Sequence, residues 1–179
     1  MKLYLQTLLL SCFALLLFSS FTGCFDLANR PIELTQEVQI GAYSYKLPAK
    51  WHIERQLNEK VEAYSSGKFV GIHCKIVEFE EDTLDEYIDI FEAGMGDAVE
   101  DFKIIEARTT WSTTNGIVGK KLLTNFDIDG TKFLGVYYFL PIKENKIYFF
   151  NCCVYFDFKK RYEPVFDAVA KSFTLRTNL

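Results

Sequence analysis

Two histidines and five cysteines give this 179-residue chain its widest chemical range. Their spacing limits what they can do. His73 and Cys74 are neighbours, and adjacent residues of a strand project to opposite faces, so they make a poor nucleophile–base pair. A metal needs three or four converging N, O or S ligands. His52 and His73, with an acid such as Glu54, would be the place to look for one. Histidines with no metal to hold are the simpler account, and no cofactor is expected. Cys152 and Cys153 are adjacent too, and could not bridge each other without distorting the backbone. A disulfide from Cys74 to Cys152 or Cys153 remains open, beside the alternative of three buried thiols acting as small apolar side chains. The serines and threonines lie in no nucleophile-elbow pattern, and no glycine-rich phosphate loop is present. The chain therefore reads as a non-enzyme.

Two acidic stretches invite a calcium reading. Glu78, Glu80, Glu81, Asp82, Asp85, Glu86 and Asp89 form the densest charge cluster. A helix dipole favours acids at its start, so a solvated face accounts for most of them; a calcium site or a surface for a basic partner is the sharper reading. Asp127-Ile128-Asp129-Gly130 begins like a calcium loop but lacks the downstream Glu, which leaves a hairpin turn. Tyr137, Tyr138, Phe139, Tyr148, Phe149, Phe150, Tyr155 and Phe156 could line a pocket for an apolar ligand or fill a two-sided core.

The chain begins with Lys2, an apolar run peaking at Leu8 to Phe18, and then Ser19-Ser20-Phe21-Thr22-Gly23-Cys24. A charged start, an apolar middle and a small-residue exit are the parts of a secretory signal. The core of that run is about half the ~20 apolar residues a membrane-spanning helix requires. Phe21-Thr22-Gly23-Cys24 resembles the lipobox of bacterial lipoproteins, in which cleavage falls before a cysteine carrying a diacylglyceryl thioether. Phe21 departs from the usual Leu, and an uncleaved N-terminal anchor is the competing reading. Cleavage between Gly23 and Cys24 would make Cys24 the lipidated N-terminus. The residue after it is Phe25, not Asp, and in families where Asp there means inner-membrane retention this implies outer-membrane sorting. Cys12 would leave with the signal, and Cys74, Cys152 and Cys153 would lie in an oxidising compartment.

Formal net charge is −4, with 20 Lys plus Arg against 24 Asp plus Glu. No basic run is present, which argues against nucleic acid as a partner. The chain beyond Cys24 is about the size of one domain with one core. Residues 24–37 read as a tether, since Asn29, Arg30 and Pro31 interrupt any periodicity and order is expected from Val38. Ala42 to Leu47 alternates as a half-buried strand, and Trp51 to Glu54 and Val61 to Tyr64 repeat the alternation around a turn at Asn58 to Lys60. From Phe69 to Phe79, Val70, Ile72, Cys74 and Ile76 share one apolar face, which turns Cys74 to the core and His73 away from it. Thr83-Leu84-Asp85-Glu86 has the form of a capping box. Leu84, Tyr87, Ile88, Phe91 and Met95 continue as one helical stripe, and Gly94 and Gly96 are expected to stop it. Phe102 to Phe156 reads as four antiparallel strands, with turns at Asn115-Gly116, Asp129-Gly130 and Glu144-Asn145-Lys146. The last two strands are nearly continuously apolar, so both their faces should be covered. Tyr162, Phe166, Val169, Ala170 and Phe173 predict a closing helix. Pro164 moves its expected start to about Tyr162.

That order, with Tyr43-Ser44-Tyr45-Lys46-Leu47-Pro48-Ala49-Lys50-Trp51, Thr83-Leu84-Asp85-Glu86-Tyr87, Asn115-Gly116 and Ala170-Lys171-Ser172-Phe173, resembles the PsbP-like superfamily, which includes bacterial DcrB-like lipoproteins. The resemblance spans most of residues 38 to 176. It implies an α+β fold with one antiparallel β-sheet of six to seven strands and helices packed on both faces, an α/β/α sandwich. It also implies a scaffold used for binding, and carries over no active-site residue. The expected organisation is a lipoprotein signal peptide at 1–23, a tether at 24–37 and a single domain at 38–179. The expected role is a membrane-anchored envelope lipoprotein with a non-catalytic domain that meets an unidentified envelope protein. Its partner membrane would be reached through the N-terminal lipid, at the outer membrane facing the periplasm if the envelope is Gram-negative. The alternative is a carrier of a lipid or other apolar small molecule.

Overall fold

Alternating apolar and polar residues become strands along most of the chain in a computed structural model, which describes residues 32–57, 59–65 and 70–176. The strands are β1 (Leu34–Ile40), β2 (Tyr43–Pro48), β3 (His52–Leu57), β4 (Lys60–Tyr64), β5 (Val70–Glu78), β6 (Glu100–Ser112), β7 (Val118–Ile128), β8 (Thr131–Lys143), β9 (Lys146–Tyr155) and β10 (Thr174–Leu175). Helix α1 (Leu84–Ala98) follows β5, and α2 (Lys159–Lys171) follows a short 3-10 turn after β9. Seven strands form one antiparallel sheet in the order β3-β4-β5-β9-β8-β7-β6. The other three form a separate sheet, β1-β2-β10, a division that periodicity alone does not reveal.

β1 starts ahead of Val38, where periodicity first suggests order. It begins at Leu34, inside the stretch 24–37 read as tether, and pairs with β2 from Leu34↔Pro48 to Ile40↔Tyr43. Backbone pairing needs no apolar periodicity in the pairing residues, and the polar side chains of Thr35, Gln36 and Glu37 hid the strand.

The turns follow backbone chemistry. Asp129 and Gly130 both have positive φ, 49° and 73°, between the paired residues Ile128 and Thr131. That is a two-residue loop whose twist matches the strands. Asn145 takes φ 52° between Lys143 and Lys146. At Asn115-Gly116 only Gly116 has positive φ, 83°, and the connection is a longer loop closed by Thr113 N to Ile117 O at 3.0 Å and Gly116 N to Thr113 O at 3.1 Å.

Thr83 caps α1 as its sequence predicts. Its hydroxyl accepts from Glu86 N at 3.2 Å, and Glu86 Oε2 accepts from Thr83 N at 3.0 Å. Thr83→Ala is expected to cost about 1 kcal/mol, read as a lower urea midpoint at unchanged slope. The helix does not stop at Gly94 or Gly96 but runs through both to Ala98. Each glycine costs a helix about 1 kcal/mol, and burial of Met95 between them offsets that locally. Helix α2 starts at Lys159, three residues before the expected Tyr162, which puts Pro164 inside the helix. Pro164 is exposed, so water can serve the carbonyl that lacks its N–H.

Apolar side chains gather in two clusters. Leu134, Val136, Tyr138 and Leu140 of β8 join Tyr162, Phe166, Val169 and Ala170 of α2, and Val38, Ile40, Tyr45 and Leu47 of the smaller sheet. Phe133, Tyr137 and Phe139 of the same strand join Ile88, Phe91 and Met95 of α1. Alternate residues of one strand thus enter different clusters, which explains why β8 and β9 read as continuous apolar runs.

Candidate functional site

Gly23 and Cys24 lie outside the described residues. The remaining thiols sit on the central strands. Cys74 of β5 lies opposite Phe150, while Cys152 of β9 lies opposite Ile72 and Cys153 opposite Gly71. Cys74 and Cys152 are therefore diagonal neighbours in the same cluster, and Cys153 belongs to the other. A diagonal places Cα atoms about 7–8 Å apart, beyond the common disulfide span of about 5.5–6 Å. All three are free cysteines in this structure. Cys74 is fully buried beside the hydroxyls of Tyr45 and Tyr148, and burial pushes its thiol well above the usual range. A thiolate nucleophile is disfavoured there.

The two histidines are not brought together. His52 is exposed on edge strand β3 opposite Tyr64, and His73 lies on β5 opposite Glu62. Two strand spacings separate β3 from β5, about 10 Å. Among the described residues no group of three His, Cys, Asp or Glu could hold a metal.

His73 nevertheless departs from its expected character. It is on the face opposite Cys74, as the period of two requires, but it is only 3% exposed. Its Nε2 lies 4.0 Å from Glu62 Oε1, which Lys60 Nζ approaches at 2.6 Å. Neither ring nitrogen has a hydrogen-bond partner among the described residues. Burial, then Lys60 and Lys75, push its imidazole down to about 3. The same burial lowers Lys75, which stands directly opposite Lys60. A pH dependence results. Below about pH 6.5 an unfolded histidine takes up a proton that folded His73 refuses until about pH 3, so stability present above 6.5 is lost as pH falls across that window. Urea midpoints at pH 7 and pH 4 should differ by less in His73→Gln than in wild type. Parallel losses would assign the acid sensitivity elsewhere.

The acidic cluster is largely engaged. Glu78 pairs with Lys146, and Glu86 serves the helix cap. Arg108 of β6 meets Asp89 and Glu92, donates to the Asp85 backbone carbonyl at 3.0 Å, and so braces α1 against the sheet. These contacts disperse the acids, which weakens the calcium reading. A second brace had no sequence signal, because its members are far apart in the chain: Tyr138 Oη donates to Asp167 Oδ1 at 2.6 Å, and Lys121 Nζ lies 2.9 Å from the same atom. It fastens α2 to β7 and β8.

The aromatics interlock. Phe91 of α1 meets Tyr137, Phe139 and Phe149 at centroid distances of 4.9, 5.4 and 5.4 Å. In the other cluster, Tyr148 meets Phe150 at 4.8 Å and Phe173 at 4.3 Å. Rings so engaged act as core, whereas Tyr155 and Phe156 are only partly buried.

No protein-family model matches the chain, and no curated protein does. Solved structures do. Cyanobacterial PsbP (CyanoP) from Synechocystis sp. PCC 6803 is 17% identical over 86% of this chain and 98% of its own, at a TM-score of 0.58. The Saccharomyces cerevisiae Ran-binding protein Mog1p is 8% identical over 80% and 96%, at 0.57. LpqN of Mycobacterium tuberculosis, involved in cell envelope biogenesis, is 10% identical over 75% and 83%, at 0.56.

Proposed function

We propose that this chain, which carries a PsbP-like fold, is a lipid-anchored protein of a bacterial cell envelope whose single domain binds another envelope protein and performs no catalysis. The observation that carries this reading is the order of its parts: a charged, apolar and small-residue leader ending in Phe21-Thr22-Gly23-Cys24, set a few residues ahead of that fold. The likeness to a protein involved in cell envelope biogenesis supports the same compartment. Cys74 is buried with its thiol raised, and His52 and His73 are not brought together, so these residues form no nucleophile–base pair with one another. A layered arrangement with one helix against each face of the larger sheet is supported by the two clusters, each containing one helix. No described helix is long and apolar enough to cross a membrane; in this reading the anchor is the lipid at Cys24. A single acyl chain binds membranes only marginally, which is why the diacylglyceryl group matters. In a Gram-negative envelope, Phe25 after the cysteine favours the outer membrane facing the periplasm.

Cys24→Ala, expressed in a diderm bacterium and separated into membrane and soluble fractions, tests the proposal. The variant should leave the membrane fraction almost completely or accumulate with its signal attached. A normally processed variant that stays in the membrane would overturn the reading. Mass spectrometry of extracted wild-type protein separates an adaptor from a carrier: a stoichiometric apolar molecule would favour the carrier. The interlocked rings favour the adaptor.

A further inference from the structure

The register of β4 against β5 builds a small square on the sheet face opposite Cys74. Lys60 stands directly opposite Lys75, and Glu62 directly opposite His73. Two like charges placed opposite one another across strands destabilise a sheet. Glu62 answers Lys60 at 2.6 Å. The side chain of Lys75 is half-buried and forms no ion pair or hydrogen bond among the described residues. The square therefore holds two cations and one carboxylate, with a cation left over in a partly desolvated place.

His73 adds a second observation. It is more than nine-tenths buried, yet neither ring nitrogen has a hydrogen-bond partner among the described residues. A buried polar group left unpaired costs roughly 1–3 kcal/mol, so such groups usually meet a partner. A neutral imidazole offers one N–H donor and one acceptor nitrogen. Glu62 Oε1, at 4.0 Å from Nε2, is too distant to hydrogen bond. A partner that accepts from the ring N–H and carries negative charge would serve His73 and Lys75 together. A phosphate group, with several acceptor oxygens, can accept from both.

We propose that Lys75, Lys60 and His73 form a binding site for a phosphate group, either free inorganic phosphate or a phosphomonoester headgroup such as that of phosphatidic acid. Lys75 Nζ supplies charge-assisted donors, Lys60 adds field, and His73 donates one ring N–H to a phosphate oxygen. Glu62, facing His73, keeps Lys60 in place.

The chain contains only two histidines, and the exposed His52 serves as an internal reference. The test uses full-length protein in neutral detergent with ring-labelled histidine, followed by NMR at pH 6.5 during titration with inorganic phosphate at constant ionic strength. His73 signals should shift along a saturable isotherm while His52 signals do not. Lys75→Gln should weaken binding about tenfold or more, which corresponds to about 1.4 kcal/mol, with its thermal midpoint within a few degrees of wild type. Lys60→Gln should weaken it less. A response only to phosphatidic acid in phosphatidylcholine vesicles would assign the same site to a lipid headgroup. No saturable shift with either probe, or undiminished binding in both lysine variants, would overturn the site.

Discussion

Phe173→Ala is expected to lower folding stability by about 3–5 kcal/mol and the thermal midpoint by about 10 °C. Phe173 is fully buried where the chain leaves α2 and enters β10. Its ring stacks on Tyr43 of the smaller sheet at 5.1 Å, with an interplanar angle of 13°. On its other side it meets Tyr148 at 4.3 Å and Phe150 at 5.9 Å, both on β9 of the larger sheet. Truncation removes apolar burial, leaves a cavity among large rings that cannot easily collapse, and forfeits three aromatic pairs together. The smaller sheet should suffer most, since β10 is only two residues long and is held to β2 through Thr174↔Ser44 and Leu175↔Tyr43. Hydrogen exchange in β1 and β2 should therefore accelerate more than in β8. Phe173→Leu, which keeps most of the volume, should cost under about 1.5 kcal/mol. A loss below about 1 kcal/mol for the alanine variant would mean that the ring does not join the two sheets.

Phe91→Ala should produce a loss of similar size, about 3–5 kcal/mol, through the other cluster. Phe91 is the α1 residue whose ring meets three sheet rings, those of Tyr137, Phe139 and Phe149. Arg108 and the Thr83 cap orient the helix, but exposed ion pairs contribute little, so ring burial should dominate its attachment. The larger sheet separates Phe91 from Phe173, and substitutions without shared partners add within about 0.5 kcal/mol. Their sum approaches the whole stability of an ordinary domain, about 5–15 kcal/mol. The double variant is therefore expected to be substantially unfolded at 37 °C by circular dichroism, while each single variant remains folded. A double variant no less stable than either single one would mean that the two clusters are not independent.

Much of the α1 region could be read directly. The stripe Leu84, Tyr87, Ile88, Phe91 and Met95 and the Thr83–Glu86 box depend only on neighbours within a turn or two, and both formed as expected. The end of the helix could not be read that way. Gly94 and Gly96 are local stop signals, but contacts of Met95 with the sheet extend the helix past them. Asp129-Gly130 likewise gave its turn correctly, because positive φ at two positions is a local demand. Asn115-Gly116 carried the same signal and met it at one position, since the distant pairing of Ser112 with Val118 sets a longer loop.

Sequence alone determined the strands of β5 and of the β6-to-β9 meander, both helical stripes and the inward turn of Cys74, because each follows from periodicity or from residue types within a few positions. Tertiary structure decided that the β1–β2 hairpin and β10 form a sheet apart from the main one, since Thr174 finds Ser44 only after the chain has closed on itself. It also decided the fate of the chemically able residues. A period of two puts His73 on the face away from Cys74, but cannot tell whether water reaches that face. Folding buried His73 beside Glu62 and opposed Lys60 to Lys75, turning an incidental histidine into the centre of a charged square. Register between paired strands sets these neighbours, and the periodicity of either strand by itself does not contain it.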